Sequence, residues 1–162
     1  MLTEFGLDHL EEAARVALNL AWHRLDPWPD VVEGLTRLKR GYILATLSNG
    51  NVALMVNLAK RAGLPWDAIL GAEVVRHYKP QPEVYLKTAD FLGLAPAECL
   101  LVAAHENDLE AAAACGLRTA YVHRPSEYDD ASDNGPGKPP PAPDAFDIVA
   151  SDFLELAERL GC

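Results

Sequence analysis

From residue 42 onward, short apolar runs alternate with helical patterns, and this alternation leaves few folds open to the chain. The runs are Tyr42-Ile43-Leu44-Ala45-Thr46-Leu47, Ala72-Glu73-Val74-Val75, Leu100-Leu101-Val102-Ala103, Thr119-Ala120-Tyr121-Val122 and Phe146-Asp147-Ile148-Val149. Between them lie helical patterns over 52–62, 83–93 and 107–115, the first stopping at Gly63, the second at Gly93 and the third at Gly116. Glycine is the usual residue where a helix ends. Strands alternating with helices predict a parallel sheet with crossover helices, a Rossmann-like α/β core. The unbroken apolarity of 42–47 and 100–103 predicts strands covered on both faces.

The flanks read differently. Residues 8–25 carry Leu10, Ala14, Leu18, Ala21, Trp22 and Leu25 near helical spacing, and Asp26-Pro27-Trp28-Pro29-Asp30 breaks that pattern. A helix at 30–40 follows, with Val31, Leu35 and Leu38 on one face and Gly41 at its end. Residues 125–144 hold Pro125, Pro136, Pro139, Pro140, Pro141 and Pro143, a composition that suits an extended surface loop. Ser151 and Asp152 are candidate caps for a last helix that places Phe153, Leu156, Ala157 and Leu160 on one face.

With 162 residues the chain can build one domain with a real core. A formal net charge of −10 argues against nonspecific nucleic-acid binding, which needs clustered Lys and Arg. No stretch approaches the run of about 20 apolar residues that spans a membrane, and the first residues lack a basic-then-apolar secretory pattern. Cys99, Cys115 and Cys162 are widely spaced and form no CxxC pair, so they read as small buried apolar groups in a reducing cytosol. The expected location is cytoplasmic.

Three polar patches follow predicted strands: Leu47-Ser48-Asn49-Gly50-Asn51, Tyr78-Lys79-Pro80-Gln81-Pro82-Glu83-Val84-Tyr85 and Val102-Ala103-Ala104-His105-Glu106-Asn107-Asp108. In an open α/β sheet, ligands bind beyond the carboxyl ends of the strands. Ser48 and Asn49 could hold carboxylate or phosphate oxygens, or simply form a capping turn. Lys79, in a proline-stiffened loop, could neutralise an anionic centre, or lie solvated as most lysines do. Asp108 suits a helix N-terminus, either as a cap or as a functional carboxylate. Tyr85 could face the same crevice or pack. His105 could act as a base or a donor. His9, His23, His77 and His123 show no ligand spacing, so no metal site is expected.

In order and spacing, these patches resemble the haloacid dehalogenase superfamily, and more narrowly its type II 2-haloacid dehalogenases. Ala114-Cys115-Gly116-Leu117-Arg118-Thr119-Ala120-Tyr121-Val122 adds to the likeness, which runs from Leu25 to Gly161. The resemblance implies a hydrolase that removes halide from a small 2-haloalkanoic acid through an aspartyl ester, with no cofactor. It implies that Ser48 and Asn49 hold the substrate carboxylate and that Lys79 neutralises the nucleophile. Asp108 would orient Lys79 and help activate water, Tyr85 would line the site, and His105 and Asn107 would contact substrate. The superfamily's phosphatases carry Gly-Asp where this chain has Ala103-Ala104, and alanine offers Mg²⁺ no oxygen.

The resemblance also implies what to look for upstream. The family's first strand ends in the aspartate nucleophile and precedes a helical cap. Here residues 1–27 match the last part of that cap, residues 28–162 match the core without its first strand, and neither Asp8 nor Asp26 follows an apolar strand. No nucleophile is therefore expected among these residues, and the family's cap arginine lacks a clear counterpart, with Arg15 and Arg24 as candidates. The expected chain is an incomplete or inactive dehalogenase, and the alternative is a non-catalytic remnant or binding subunit. The strands at 42–47 and 99–103 would either rearrange to pair directly or have the gap between them filled by another segment or chain, and a gap with both edges bare would suggest a fragment. The expected partners are a small 2-haloacid, with a second copy or the missing N-terminal segment at the bare edges. An exposed edge is an aggregation hazard.

Overall fold

Among the described residues five short parallel strands form, and they form in two pieces. The computed structural model describes residues 3–127 and 139–162. Strands β1 (Ala45–Ser48) and β2 (Ala68–Gly71) make one parallel pair. Strands β3 (Leu100–Ala103), β4 (Arg118–Val122) and β5 (Ile148–Ala150) make a second parallel sheet in the order β3-β4-β5. The helices are α1 (Glu12–Asn19), α2 (Val31–Leu38), α3 (Val52–Ala62), α4 (Ala72–Val75), α5 (Pro82–Phe91), α6 (Glu106–Ala114) and α7 (Phe153–Arg159). This is an α/β architecture of parallel strands with flanking helices, as the alternation predicts.

Strand side chains alternate between two faces, and the core divides accordingly. Leu100, Val102, Ala120, Val122, Ile148 and Ala150 pack with Leu35 and Leu38 of α2 and Leu156 and Ala157 of α7. Leu101, Ala103, Tyr121 and Val149 pack with Tyr85 of α5 and with Leu109 and Ala112 of α6. Gly34 lets α2 and α7 approach closely: a Cβ there would lie 2.5 Å from the Phe153 Cβ and 2.8 Å from its backbone. Asp30 ties the same corner together. Its carboxylate accepts from both Arg124 guanidinium nitrogens (2.9 and 2.7 Å) and from the Phe153 amide (2.8 Å), while Arg124 lies over the Trp28 ring. Asp152 caps α7 by accepting from the Glu155 amide at 2.8 Å, as expected.

Several boundaries differ from those the sequence predicts. Residues 72–75 are not a strand but the single helical turn α4, and the strand lies just before them. The reason is Gly71. It ends β2 at φ 145°, a conformation closed to most side chains, with no room for a Cβ, which would sit 2.3 Å from the Ser48 carbonyl oxygen. β1 starts at Ala45 rather than 42, because pairing with β2 begins at Ala45–Ala68 and leaves Tyr42 and Ile43 exposed. In place of the helix expected over 8–25 stand α1 and a 3-10 helix (Leu20–Arg24), with a 3-10 turn (Thr3–Phe5) ahead of them. None of the three buries a residue; the last of them in the chain packs against α3, where His23 meets Asn57 (2.8 Å), and Asp26 just beyond it pairs with Arg61 (2.9 Å). The cysteines are free and half-buried rather than buried. Of the proline-rich loop, 125–127 and 139–144 carry no helix or strand, and 128–138 lie outside the described residues.

Between β1 and β3 runs a slot of about 640 Å³. Its edges are β1 and β3, with Leu35, Leu38 and Leu156 from one layer and Tyr85, Thr88 and Ala89 from the other. Among the described residues, β1 pairs only with β2 and β3 only with β4, so the two sheets turn unpaired edges toward the slot. The expected single sheet is thus divided: the two strands do not pair directly, and among the described residues no segment fills the gap between them.

Candidate active site

At the carboxyl end of the slot, residues from three segments converge on Asp108. Asp108 lies in the first turn of α6, immediately beyond β3, where the helix N-terminus favours a carboxylate. Its Oδ2 receives the Lys79 ammonium at 2.5 Å, and its Oδ1 accepts from the Tyr85 hydroxyl at 2.6 Å. The pair is mostly shielded, with side-chain exposures of 22% for Lys79 and 13% for Asp108. Tyr85 is fully buried. Burial, reinforced by the neighbouring carboxylate, pushes its phenol well above the ordinary range, so it remains a proton donor to Asp108. Both carboxylate oxygens are therefore engaged.

Ser48 ends β1 and lines the slot beside Lys79. Its Oγ accepts from the Gly50 amide at 3.0 Å, closing the turn into α3 and leaving the hydroxyl hydrogen to donate. The start of α3 is held further by Asn51, which accepts from the Leu54 amide, and by Glu73, which accepts from the Val52 amide at 2.7 Å. Asn49 bonds the Lys79 backbone through both ends of its carboxamide.

His105 and Asn107 line a second cavity of about 480 Å³, together with Tyr121, His123, Arg124 and Glu127. His105 Nε2 lies 3.0 Å from a Glu127 carboxylate oxygen. The structure thus gathers Ser48, Lys79, Tyr85 and Asp108, and sets His105 and Asn107 on a neighbouring cavity. Arg15 and Arg24 bond backbone carbonyls of their own segment, at Leu10 and Ala17. Sequence reasoning missed Glu73, Glu127 and the Asp30–Arg124 pair. Nothing local marks them, since Asp30 and Arg124 stand 94 positions apart.

A haloacid dehalogenase-like hydrolase family model matches residues 1–116. The chain belongs to the haloacid dehalogenase-like hydrolases. Among curated members it is 36% identical over 129 residues to (S)-2-haloacid dehalogenase 4A of Burkholderia cepacia, covering 75% of this chain and 56% of that protein. It is 35% identical over 134 residues to (S)-2-haloacid dehalogenase 1 of Pseudomonas sp. (strain CBS-3), covering 78% and 58%. The chain therefore spans just over half the length of these relatives. A phosphoglycolate phosphatase of Neisseria meningitidis is also similar, at 36% identity over 99 residues, 59% of this chain and 42% of that protein. Among solved structures, the L-2-haloacid dehalogenase PA0810 superposes with a TM-score of 0.90 at 46% identity, covering 98% of this chain and 68% of that one. The defluorinating L-2-haloacid dehalogenase Rha0230 gives 0.88 at 45% identity, covering 99% and 65%.

Proposed function

We propose that this chain carries the supporting half of a 2-haloacid dehalogenase site. The observation that carries the reading is the Lys79–Asp108–Tyr85 cluster beside Ser48, at the carboxyl end of a slot between two bare strand edges. An ammonium fixed there neutralises a carboxylate brought to the same end, and the Ser48 hydroxyl offers a hydrogen bond to the substrate's carboxylate. The dehalogenase reaction then needs a nucleophilic carboxylate, which displaces halide to give an ester that water hydrolyses. That carboxylate comes from a strand lying in the slot, paired to β1 on one side and β3 on the other. Residues 1–27 serve as part of a cap and 28–162 as the core. His105 and Asn107, at the adjacent cavity, contact substrate only if that cavity opens to the slot.

The relatives' names direct the assay to the (S) enantiomer. Halide release from (S)-2-chloropropionate is expected to be negligible with the chain alone; brisk turnover by the isolated chain would overturn the reading. A Mg²⁺-dependent phosphatase is the second reading, supported by the phosphoglycolate phosphatase relative. Ala104 stands against it, and so does the occupation of both Asp108 oxygens by Lys79 and Tyr85. Mg²⁺-stimulated release of phosphate from phosphoglycolate would favour it.

A further inference from the structure

The turn that carries Ser48 is held to the β2–α4 segment at both of its ends. On the strand side, Ser48 pairs with Gly71, the last residue of β2. On the helix side, the Val52 amide donates to a Glu73 carboxylate oxygen at 2.7 Å. Val52 is the first residue of α3, and the first amides of a helix have no acceptor within it. The other cap, from the Leu54 amide to the Asn51 side chain (2.8 Å), joins two residues of the same turn and ties it to no other element. Residues 48–52 and 71–73 thus close a bracket, and inside it the Gly50 amide donates to the Ser48 hydroxyl oxygen at 3.0 Å. Glu73 itself is exposed, but Ala72 and Val75 of the same helical turn are buried, so α4 gives it a fixed seat. α4 ends at Arg76 in a left-handed conformation (φ 60°), and the chain reaches Lys79 three residues later.

We infer that Glu73 is a positioning residue: its carboxylate holds the start of α3 against α4 and so fixes the aim of the Ser48 hydroxyl relative to Lys79. Its effect reaches the site through the Val52 amide and the turn behind it. The inference rests on the proposed function only for what Ser48 is used to hold; the anchoring stands on the hydrogen bonds themselves. The residue type fits the task. A carboxylate is favoured at a helix N-terminus, and a hydrogen bond to an ionised acceptor is roughly twice as strong as a neutral one. Glutamine keeps a carbonyl oxygen at the same reach but not the charge. Alanine has no acceptor. Aspartate keeps the charge and draws it back by a methylene.

The test reads the turn directly, without turnover. Backbone amide ¹H–¹⁵N signals and hydrogen-exchange rates are compared in the native chain, Glu73→Ala and Glu73→Gln, and each is titrated with (S)-2-chloropropionate. In Glu73→Ala the Val52 amide is expected to exchange roughly tenfold faster. The Ser48 and Gly50 signals are displaced, while the β3–β4 amides keep their native rates. The haloacid then moves the Ser48 and Gly50 signals only at severalfold higher concentration. Glu73→Gln is expected to recover most of both properties. A native Val52 rate with unmoved Ser48 and Gly50 signals in Glu73→Ala would overturn the proposal. A loosened turn with native haloacid affinity would also overturn it, because Glu73 would then be a helix cap and nothing more. So would a Glu73→Gln variant no better than Glu73→Ala, since the acceptor would count for nothing. Should Glu73→Ala fail to fold, Glu73→Asp carries the same comparison. No response of the native chain to the haloacid would count against the dehalogenase reading; displacement of Ser48 and Gly50 in Glu73→Ala would still support the anchoring, and its absence would still sink it.

Discussion

Asp108 shows how little of a site's chemistry is visible in a residue's type. In sequence it is a carboxylate near a helix start, equally suited to capping. In the fold it holds an ammonium on one oxygen and a buried phenol on the other. Tyr85→Phe removes a hydrogen bond to a charged acceptor, so unfolding by urea is expected to show a loss of about 1.5–3 kcal/mol; an unchanged midpoint would mean water replaces the phenol freely. Asp30 gives a prediction in pH. Burial alone would raise its pKa, but the Arg124 and Phe153 hydrogen bonds prevail and hold it below the usual carboxylate range. Glu155 is held at about 2 by bonds from Ser151 and Arg159. A carboxylate whose folded pKa is depressed adds stability that is complete above its unfolded pKa and lost as pH falls toward its folded value. Melting temperature is therefore expected to fall as pH drops from roughly 4.5 toward 2, and less steeply in a Glu155→Gln variant. Identical slopes in the two proteins would remove Glu155 from the account.

Elements are legible in the sequence where a local stop signal coincides with the periodicity. α3 occupies 52–62 and β3 occupies 100–103, as expected, because a glycine or a polar turn bounds each. At 72–75, where Val74 and Val75 suggest extended chain, the expected strand does not form. What decides the matter is a long-range contact, the close packing of Gly71 against the Ser48 backbone, which no local pattern reveals. Ser48, Lys79, Tyr85 and Asp108 converge as expected. The placing of Asn49 on the Lys79 backbone and of His105 near Glu127 depends on residues 30 and 22 positions away. Gly71→Ala tests the element that sets this geometry. The new Cβ would meet the Ser48 carbonyl in a backbone conformation nearly reserved for glycine, so a loss of roughly 3 kcal/mol is expected, with the Ser48 and Lys79 amide signals displaced. Native-like stability would show that β1 and β2 can slide apart at little cost.

The two parallel sheets face each other across an apolar slot, and the residues that resemble a dehalogenase site stand at one end of it. This arrangement joins the fold to the proposed chemistry. A sheet edge presents unpaired amides and carbonyls, and an apolar strand between β1 and β3 would satisfy both edges at once. It would also deliver its carboxyl-terminal residue to Lys79. The most direct test adds to the chain a synthetic apolar strand peptide ending in aspartate and measures chloride released from (S)-2-chloropropionate. The account predicts release with that peptide, none with the chain alone or with an asparagine-ended peptide, and none when Lys79 is replaced by alanine. Equal release by the chain without any peptide, or no release although the aspartate peptide is bound in the slot, would contradict it.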